Sequence, residues 1–334
     1  MRRKMNPITV KEIVKATGGT LLMGKPDDVI TGVKHDSREC GADDLFVAII
    51  GENQDAHKYI GQVLENGCRA VLASREGEWL KQAETLGAAV VLVEDTVYAM
   101  GELAKYYLDT LNVKKIAVTG SVGKTSVRDM IYYVINEKYR CGRNLKNFNN
   151  FIGLPLSIFQ FDDSLEVVVL EMGMSARGEI SALSRAACPD IAVITNIGSS
   201  HLESLGTREN IACAKLEVLD GMRPGGQLLF DGDEPLLRAG AAHVRQDITL
   251  RPVSLTDKAA DFFVSGIRAA ADGTVFDLRL PDGSVWHDLR IPAPGRHLLL
   301  DAAYAAGVGY LSGVSREEAA RGLADYRPAA MRQT

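Results

Sequence analysis

A short glycine-rich run contains the residue types that bind phosphate. Its members are Thr119, Gly120, Ser121, Val122, Gly123, Lys124, Thr125 and Ser126. An apolar stretch, 116–118, precedes the run, and a segment with helical spacing, 127–139, follows it. In a strand–turn–helix unit of this kind, N–H groups of the turn and the helix N-terminus attract an anion, a lysine neutralises phosphate charge, and a hydroxyl can bind the magnesium ion that accompanies ATP. Lys124 and Thr125 supply the amine and the hydroxyl, so the run predicts a nucleoside triphosphate site.

The spacing of this run departs from the common phosphate-loop pattern, which has four residues between its first glycine and the Gly-Lys pair. Here only Ser121 and Val122 separate the two glycines, and Val118 occupies the position where the longer pattern has glycine. A glycine-rich turn without a ligand is the alternative. The apolar stretch before the run and the helical segment after it favour phosphate binding.

Two residues that could bind a metal ion follow the next apolar runs. Glu171 ends the run 167–170, and a carboxylate there is costly to bury without a cation. His201 comes after the following run, 191–195. Because the carboxyl ends of parallel strands meet at one edge of a sheet, we expect both residues on the side of the phosphate loop. The alternatives are a glutamate turned to solvent and a histidine with only a structural role.

Lys215 and an asparagine-rich stretch complete the candidate residues. Lys215 lies in a predicted helix, 208–222, where residue type alone favours a solvated surface lysine. The stretch 147–155 contains Asn149 and Asn150 and supplies amides near the sheet. By itself this stretch is typical of a loop.

The order of apolar runs and glycines predicts a small α/β unit from residue 8 to about Asp95. The expected helices are 10–17, 58–66 and 97–111, and the expected strands are 32–33, 45–49, 70–73 and 89–93. The boundary is expected near Asp95, because the helix after it leads into the phosphate loop.

The second unit contains continuous apolar runs, which are typical of strands covered on both faces of a parallel sheet. The expected strands are 115–118, 167–170, 191–195 and 227–230, and the expected final helices are 298–311 and 315–323. Between 262 and 291 the runs are short and alternating, and Asp272-Gly273 and Asp282-Gly283 predict hairpin turns. The expected fold class is α/β: a small N-terminal α/β domain followed by a mainly parallel-sheet, phosphate-loop ATPase-like domain with a small antiparallel appendage.

Composition limits the function classes. The chain has 334 residues, 46% hydrophobic and 24% charged, with a net charge of −5 and no basic stripe, so nucleic acid is not an expected partner. The basic start, Met1 to Lys4, lacks a following apolar core, and no apolar run approaches the length of a membrane span. The five cysteines are scattered, which argues against disulfides and a zinc site and predicts a reducing cytoplasm.

Several segments together resemble the Mur ligase family, the ATP-dependent amide-forming enzymes of bacterial peptidoglycan synthesis. These segments are the phosphate-loop run 119–125, 149–155 (Asn-Asn-Phe-Ile-Gly-Leu-Pro), 171–180 (Glu-Met-Gly-Met-Ser-Ala-Arg-Gly-Glu-Ile), 194–203 (Ile-Thr-Asn-Ile-Gly-Ser-Ser-His-Leu-Glu) and 212–217 (Ala-Cys-Ala-Lys-Leu-Glu). The resemblance covers about residues 8–332. It implies the substrates UDP-N-acetylmuramoyl-tripeptide and D-alanyl-D-alanine, the cofactors ATP and Mg²⁺ (two ions), and a cytoplasmic enzyme, expected to be a monomer.

The resemblance also implies roles for the residues around ATP. Lys124 would contact the β- and γ-phosphates, Thr125 and Glu171 would hold a first magnesium ion, and His201 would help to hold a second. Lys215 would be carbamylated by carbon dioxide and bridge to the metal as an anion. Asn149 and Asn150 would line the γ-phosphate side. The remaining implied ATP contacts are the loop residues 119–126, Asn196, His297 and Asp301.

The resemblance assigns the beginning of the chain to a UDP-sugar site. The implied contacts are Asp36, Ser37, Arg38, Ala48 and His57. The implied domains are a UDP-sugar-binding domain at 1–95, a central ATP-binding domain at 96–314, and a connector at 315–334 that leads towards a C-terminal ligase domain absent from this chain. On this interpretation the chain is a truncated form of a longer enzyme.

One departure from the family pattern concerns the base of the nucleotide. The family usually has an asparagine that pairs with adenine, and this chain has Asp301. An ionised aspartate can accept a hydrogen bond from the adenine amino group but cannot donate one to a ring nitrogen. Two other functions stay open: a phosphate-loop kinase or ATPase, and a non-catalytic module that binds nucleotide and UDP-sugar.

Overall fold

The helices and strands alternate along most of the chain. The computed structural model describes residues 5–144, 147–200, 202–241, 245–271, 273–292 and 296–327. The strands are β1 (Ile8–Thr9), β2 (Thr20–Met23), β3 (Val29–Ile30), β4 (Gly32–Lys34), β5 (Asp44–Val47), β6 (Ala70–Ala73), β7 (Ala89–Leu92), β8 (Lys114–Thr119), β9 (Cys141–Arg143), β10 (Val167–Glu171), β11 (Ile191–Ile194), β12 (Gln227–Asp231), β13 (Thr249–Ser254), β14 (Phe262–Ala270), β15 (Gly273–Arg279) and β16 (Val285–Ile291). The helices are α1 (Val10–Thr17), α2 (Ile60–Glu65), α3 (Leu80–Leu86), α4 (Thr96–Thr110), α5 (Lys124–Asn136), α6 (Gly153–Ile158), α7 (Glu179–Ala187), α8 (Leu202–Leu205), α9 (Arg208–Leu216), α10 (Pro235–Ala241), α11 (Arg296–Leu311) and α12 (Arg316–Asp325).

Two compact units divide the chain. The first contains the residues up to Asn112 together with Phe151–Asp163, and the second contains Val113–Asn150 together with the residues from Ser164 onward. The first unit has a five-stranded sheet in the order β2-β7-β6-β5-β4, in which only β2 is antiparallel to its neighbour. A short antiparallel pair, β1 and β3, lies outside that sheet. The predicted small α/β unit is confirmed.

Local signals explain the first helix. Thr9 and Glu12 form a capping box, in which each side chain satisfies a backbone N–H of the first turn. The helix stops at Gly18, whose φ of 66° lies in the left-handed region that favours glycine. The observed bounds of α1, Val10–Thr17, agree with the predicted helix 10–17.

The second unit is built on one nine-stranded sheet in the order β16-β15-β14-β13-β12-β11-β8-β10-β9. The strands from β9 to β14 run parallel, and β14, β15 and β16 pair antiparallel. The central strands are buried along their whole length, as the continuous apolar runs predicted. The α/β fold class with a mainly parallel sheet is confirmed.

The antiparallel strands between 262 and 291 extend this same sheet. The connection is β13, which pairs parallel with β12 on one side and, at Val253 and Ser254, with β14 on the other. Arg251 and Pro252 interrupt the apolar pattern of β13, so no strand was predicted there. The turn at Gly283 has the positive φ, 86°, that the Asp-Gly dipeptide predicted. Asp272, in the other predicted turn, lies outside the described residues.

The boundary between the units differs from the one expected near Asp95. Helix α4 belongs to the first unit, where the Tyr106 hydroxyl donates to Glu12 Oε1 at 2.9 Å. The Tyr107 hydroxyl donates to the carbonyl of Phe161 at 2.6 Å and accepts from the N–H of Asn6 at 2.8 Å. A helical pattern shows that one face is buried but does not show which unit buries it.

The end of the described chain is packed rather than extended. Within the expected connector 315–334, α12 begins with a Ser315–Glu318 capping box and packs against α5. Gly322 permits this close approach, because a Cβ there would lie 2.6 Å from the Cα of Val134. Tyr326 is buried, with its ring centroid 6.3 Å from that of Tyr133. In the described part of the chain, no helix is both long enough and apolar enough to cross a membrane.

Candidate functional site

The glycine-rich run forms a tight loop between β8 and α5. Gly120 and Gly123 have φ values of 143° and 79°, in the region that favours glycine. A Cβ on Gly120 would collide with Thr195 Oγ1, and one on Gly123 would lie 3.3 Å from Asp301 Oδ1. The strand, the loop and the N-terminus of α5 therefore form the predicted anion-binding arrangement. Ser126 lies half-buried in the first turn of α5.

Two residues after β11 fix the backbone of this loop. The N–H of Val122 donates to Asn196 Oδ1 at 3.1 Å, and Asn196 Nδ2 donates to the carbonyl of Val122 at 3.0 Å. Thr195 Oγ1 donates to the same carbonyl at 2.6 Å. Asn196, predicted as an ATP contact, thus uses both ends of its amide on the loop itself. Thr195 has the same function and was missed from sequence.

The loop also contains buried polar atoms that lack hydrogen-bond partners within the described part of the chain. Thr119 Oγ1 and Ser121 Oγ are buried and have no hydrogen-bond partner among the described residues. Lys124 Nζ donates to the carbonyls of Gly120 at 2.8 Å and Ser121 at 3.1 Å, so its amine lies over the loop. A buried hydroxyl without a partner is costly, and a ligand that supplies partners would remove that cost.

Glu171 lies beside the loop because β10 is the parallel neighbour of β8, with Glu171 opposite Val118. Its side chain is only 3% exposed. Thr125 Oγ1 donates to Glu171 Oε2 at 2.7 Å, and Asn149 Nδ2 donates to Oε1 at 2.8 Å. The alternative of a glutamate turned to solvent is wrong. Asn150, next to Asn149, is exposed.

Asn144 holds the strand end that carries this glutamate. Its Nδ2 donates to the carbonyl of Glu171 at 3.0 Å, and its Oδ1 accepts from the N–H of the same residue at 2.8 Å. Asn144 is fully buried. Asn144 was missed from the sequence, because an asparagine in a polar stretch gives no sign that its side chain will form the hydrogen bonds that a neighbouring strand would otherwise form.

Lys215 lies in α9 and is 0% exposed. Its Nζ has no hydrogen-bond partner within the described ranges. Burial and the charge of Lys124 lower its pKa to about 7, while Glu179 and Glu217 act in the opposite direction. The residue-type expectation of a solvated surface lysine is wrong. An amine with this pKa is largely neutral above pH 7 and can react as a nucleophile.

The donor set fits a hard divalent cation. The hydroxyl of Thr125 and the buried carboxylate of Glu171 lie 2.7 Å apart, and Mg²⁺ is usually held by one or two carboxylates plus substrate phosphates. Among the residues that the structure describes, no three histidine, cysteine, aspartate or glutamate side chains are grouped so that they could hold a metal ion by themselves. His201, the expected ligand of a second ion, lies outside the described residues.

Asp301 lies in α11, next to Gly123 of the loop. The side chain is almost completely buried, and this burial raises its pKa to about 8. A protonated carboxyl can donate as well as accept, so the aspartate resembles an asparagine in hydrogen-bonding capacity at neutral pH. The side chain of His297, also expected near adenine, lies outside the described residues.

The predicted UDP-sugar residues lie in the first unit, after β4 and β5. Arg38 contacts Asp36 through two hydrogen bonds, Nε to Oδ1 at 2.9 Å and Nη2 to Oδ2 at 2.6 Å, and its side chain is 85% exposed. This guanidinium holds the pKa of Asp36 well below its usual value. Ser37 lies between them, half-buried. These residues form an exposed polar turn.

Ala48 and His57 are buried instead. The carbonyl of Ala48 accepts from Thr96 Oγ1 at 3.0 Å. His57 is 4% exposed, its Nδ1 lies 2.6 Å from Asp55 Oδ1, and its Nε2 accepts from the N–H of Ser74 at 3.0 Å. Both ring nitrogens are therefore used within the unit. On this geometry His57 joins Asp55 to Ser74 rather than presenting a ring nitrogen to a ligand.

The comparisons with known proteins agree with this site. The family model for the Mur ligase middle domain matches residues 118–309, and the model for the Mur ligase family catalytic domain matches residues 29–108. The chain therefore belongs to the Mur ligase family. The match to the middle domain includes the phosphate loop, Glu171 and Lys215.

Two relatives within the family share the same name. The UDP-N-acetylmuramoyl-tripeptide--D-alanyl-D-alanine ligase of Bacillus subtilis is 40% identical over 97% of this chain and 68% of its own length. The ligase of the same name from Escherichia coli is 30% identical over 97% of this chain and 69% of its own length.

Solved structures of MurF ligases resemble this fold. The enzyme of Acinetobacter baumannii has a TM-score of 0.85 at 28% identity, covering 98% of this chain and 70% of that one. The enzyme of Thermotoga maritima, solved in complex with ADP, has a TM-score of 0.78 at 28% identity, covering 89% of this chain and 66% of that one.

Proposed function

We propose that this chain contains the ATP-binding and UDP-precursor-binding parts of a ligase that joins D-alanyl-D-alanine to UDP-N-acetylmuramoyl-tripeptide in peptidoglycan synthesis. The names of the Bacillus subtilis and Escherichia coli relatives support this substrate pair. The structural observation that carries the proposal is Lys215, a fully buried lysine whose Nζ lacks a partner among the described side chains.

ATP would bind at the loop between β8 and α5. The loop N–H groups and the N-terminus of α5 would face the phosphates, and Lys124 would leave its two carbonyl partners to neutralise phosphate charge. Asn149 and Asn150 would line the γ-phosphate side. The Thermotoga maritima relative, solved in complex with ADP, supports nucleotide binding by this fold.

Thr125 and Glu171 would hold one Mg²⁺, and His201 with Lys215 would hold a second. Bound there, Mg²⁺ neutralises charge on the phosphates. Lys215 would serve as an anion after carbamylation. Its burial and lowered pKa provide the neutral amine that reacts with carbon dioxide, and a carbamate would remove the cost of a buried ammonium group.

The reaction would proceed in two steps. The terminal carboxylate of the tripeptide attacks the γ-phosphorus of ATP, which gives an acyl phosphate and ADP. The amine of D-alanyl-D-alanine then attacks the acyl carbon, phosphate leaves, and the amine loses a proton as the amide forms. The residues of this chain bind and align anions and neutralise their charge, which is the main requirement for phosphoryl transfer.

The first unit would bind the UDP end of the precursor. Ser37 and the exposed Arg38 would contact the diphosphate and the uridine, with Asp36 beside them. Ala48 and His57, both buried, would lie behind the surface that faces the UDP-sugar. The proposed enzyme functions as a monomer in the bacterial cytoplasm, where ATP and the UDP-linked precursor are available.

A kinase or ATPase and a non-catalytic binding module are the competing functions. A trapping experiment separates them from the ligase. Incubation with ATP, Mg²⁺, UDP-N-acetylmuramoyl-tripeptide and hydroxylamine should convert an acyl phosphate to a hydroxamate of the tripeptide, detected by mass spectrometry. Phosphate release without hydroxamate would support the kinase or ATPase, and binding without either product would support the module.

A further inference from the structure

Arg128 is a buried arginine next to the candidate metal-binding carboxylate. It lies in α5, one turn after Lys124, and its side chain is 5% exposed. Its Nη1 is 3.3 Å from Glu171 Oε2. Arg128 was not predicted from the sequence and has no role in the proposed reaction. The sequence feature that could have indicated its burial is its position among the apolar residues of the helix that follows the phosphate loop, next to Val127.

The guanidinium belongs to a row of alternating charges. Arg128 Nε donates to Asp129 Oδ1 at 2.7 Å, and its Nη2 lies 2.6 Å from the same oxygen. Arg143 Nη1 lies 3.2 Å from that oxygen, and the Arg143 guanidinium packs over the ring of Tyr132 at 4.0 Å. Asp129 therefore balances the charge of Arg128, and Arg143 holds Asp129 in place.

Glu171 has donors on both carboxylate oxygens. Asn149 donates to Oε1, while Thr125 and Arg128 lie against Oε2. An ionised carboxylate has about four acceptor sites, and the buried guanidinium adds an opposite charge to the two neutral donors at a desolvation cost of its own. A planar guanidinium with a fixed fork of N–H groups also restricts the rotation of the carboxylate.

We propose that Arg128 is a positioning residue that fixes the carboxylate of Glu171 in the orientation needed to bind a divalent cation at the phosphate loop. This inference rests on the proposed ATP–Mg²⁺ site. Arg128 acts through Glu171 and does not touch the nucleotide, since its side chain is buried against two carboxylates. Asp129 and Arg143 hold Arg128 in turn.

Metal binding tests this assignment without relying on turnover. Mn²⁺ is titrated into the protein with ADP and followed by electron paramagnetic resonance, for the parent, Arg128→Met and Arg128→Lys. Groups that orient metal ligands typically contribute about tenfold or more to metal affinity. We expect Arg128→Met to weaken Mn²⁺ binding by about that factor, and Arg128→Lys, which keeps the charge without the fork, to recover part of it. ADP affinity measured in EDTA should be unchanged.

A matched control is Arg321→Met, which removes an exposed arginine of α12 that pairs with Glu137, the residue after α5. It should leave Mn²⁺ affinity unchanged. Unchanged Mn²⁺ affinity in Arg128→Met, or an equal loss of metal-free ADP affinity, overturns the positioning function. If Arg128→Met does not fold, Arg128→Lys decides: full parental Mn²⁺ affinity in that variant contradicts the need for the fork. A parent protein that binds no Mn²⁺ overturns the metal site itself, which is a failure of the proposed function.

Discussion

The two candidate binding regions differ in what their polar side chains already contact. At the loop in the second unit, Lys215 Nζ, Thr119 Oγ1 and Ser121 Oγ are buried without partners among the described residues. In the first unit, Arg38 pairs with Asp36 at the surface, and the ring nitrogens of His57 are both used. A ligand that supplies hydrogen-bond partners to buried polar groups removes the free-energy cost of leaving them unpaired. An exposed ion pair must instead give up its hydration and its existing partner before it can bind a ligand, so its net contribution is smaller. Substitutions in the second unit should therefore have the larger effects.

The largest effect is expected for Lys124→Ala. Two phosphates would lose their neutralising amine in a partly buried site, where one such contact contributes about 3 kcal/mol or more, roughly a hundredfold in affinity or rate. Isothermal titration with ATP and Mg²⁺ measures the loss. Near-parental ATP affinity would exclude the phosphate-loop assignment.

Lys215→Ala should come next, with loss of activity in the ligase and partial recovery when short carboxylic acids occupy the vacated space. Lys215→Arg should not recover, because it stays cationic where an anion is needed. The exposed Lys258→Ala serves as the control and should keep activity. Mass spectrometry of the intact metal-bound protein that shows only unmodified lysine, with no recovery by acids, would reject the carbamate.

The double change Ser37→Ala with Arg38→Ala should have a smaller effect. Exposed charged contacts contribute about 1 kcal/mol, so we expect roughly a fivefold to tenfold loss in UDP-N-acetylmuramoyl-tripeptide affinity. ATP affinity should not change. Calorimetry with Lys81→Ala, another exposed cation of the first unit, provides the control. Equal losses for ATP and the UDP precursor would remove the distinction between the two regions.

A separate effect concerns Asp301 and appears in the pH dependence of stability rather than in binding or activity. Its raised pKa of about 8 means that the folded protein keeps a proton that the unfolded chain releases above about pH 4. Stability from this group is present at low pH and is lost as pH rises towards 8, at up to about 1.4 kcal/mol per pH unit. Asp301→Asn should lack this loss.

Urea unfolding of parent and Asp301→Asn at several pH values from 5 to 8.5 measures this difference. Comparison of the two proteins cancels the opposite contribution of Lys215, whose lowered pKa favours the folded state as pH rises above 7. Parallel stability curves for the two proteins would show that Asp301 is ionised throughout.

Much of the fold could be predicted from the sequence, because local patterns of apolar residues indicate most of its strands and helices. Continuous apolar runs predicted β8, β10, β11 and β12, since strands covered on both faces need apolar residues at every position. Strand β13 was missed because Arg251 and Pro252 break its pattern. The assignment of α4 to the first unit could not be predicted, because it depends on contacts between residues far apart in sequence, such as Tyr107 and Phe161.

The candidate site could be predicted where the residue types and their spacing by themselves indicate phosphate or metal binding. The loop and Glu171 followed from glycines, a lysine and a carboxylate at a strand end. The burial of Lys215 opposed the preference of its residue type, and only the resemblance to a family pointed to it. Arg128 and Thr195 were missed because their importance lies in what they hold in place.

In the proposed reaction, ATP activates a carboxylate for attack by an amine. The decisive measurement is phosphate release with UDP-N-acetylmuramoyl-tripeptide, with and without D-alanyl-D-alanine. The assay uses this chain and a version extended by a Mur ligase C-terminal domain, with Lys124→Ala of the extended version as the blank. We predict phosphate release that depends on D-alanyl-D-alanine and produces the pentapeptide precursor in the extended version. Phosphate release in that version at the same rate with and without the amine, with no amide product, would contradict the account.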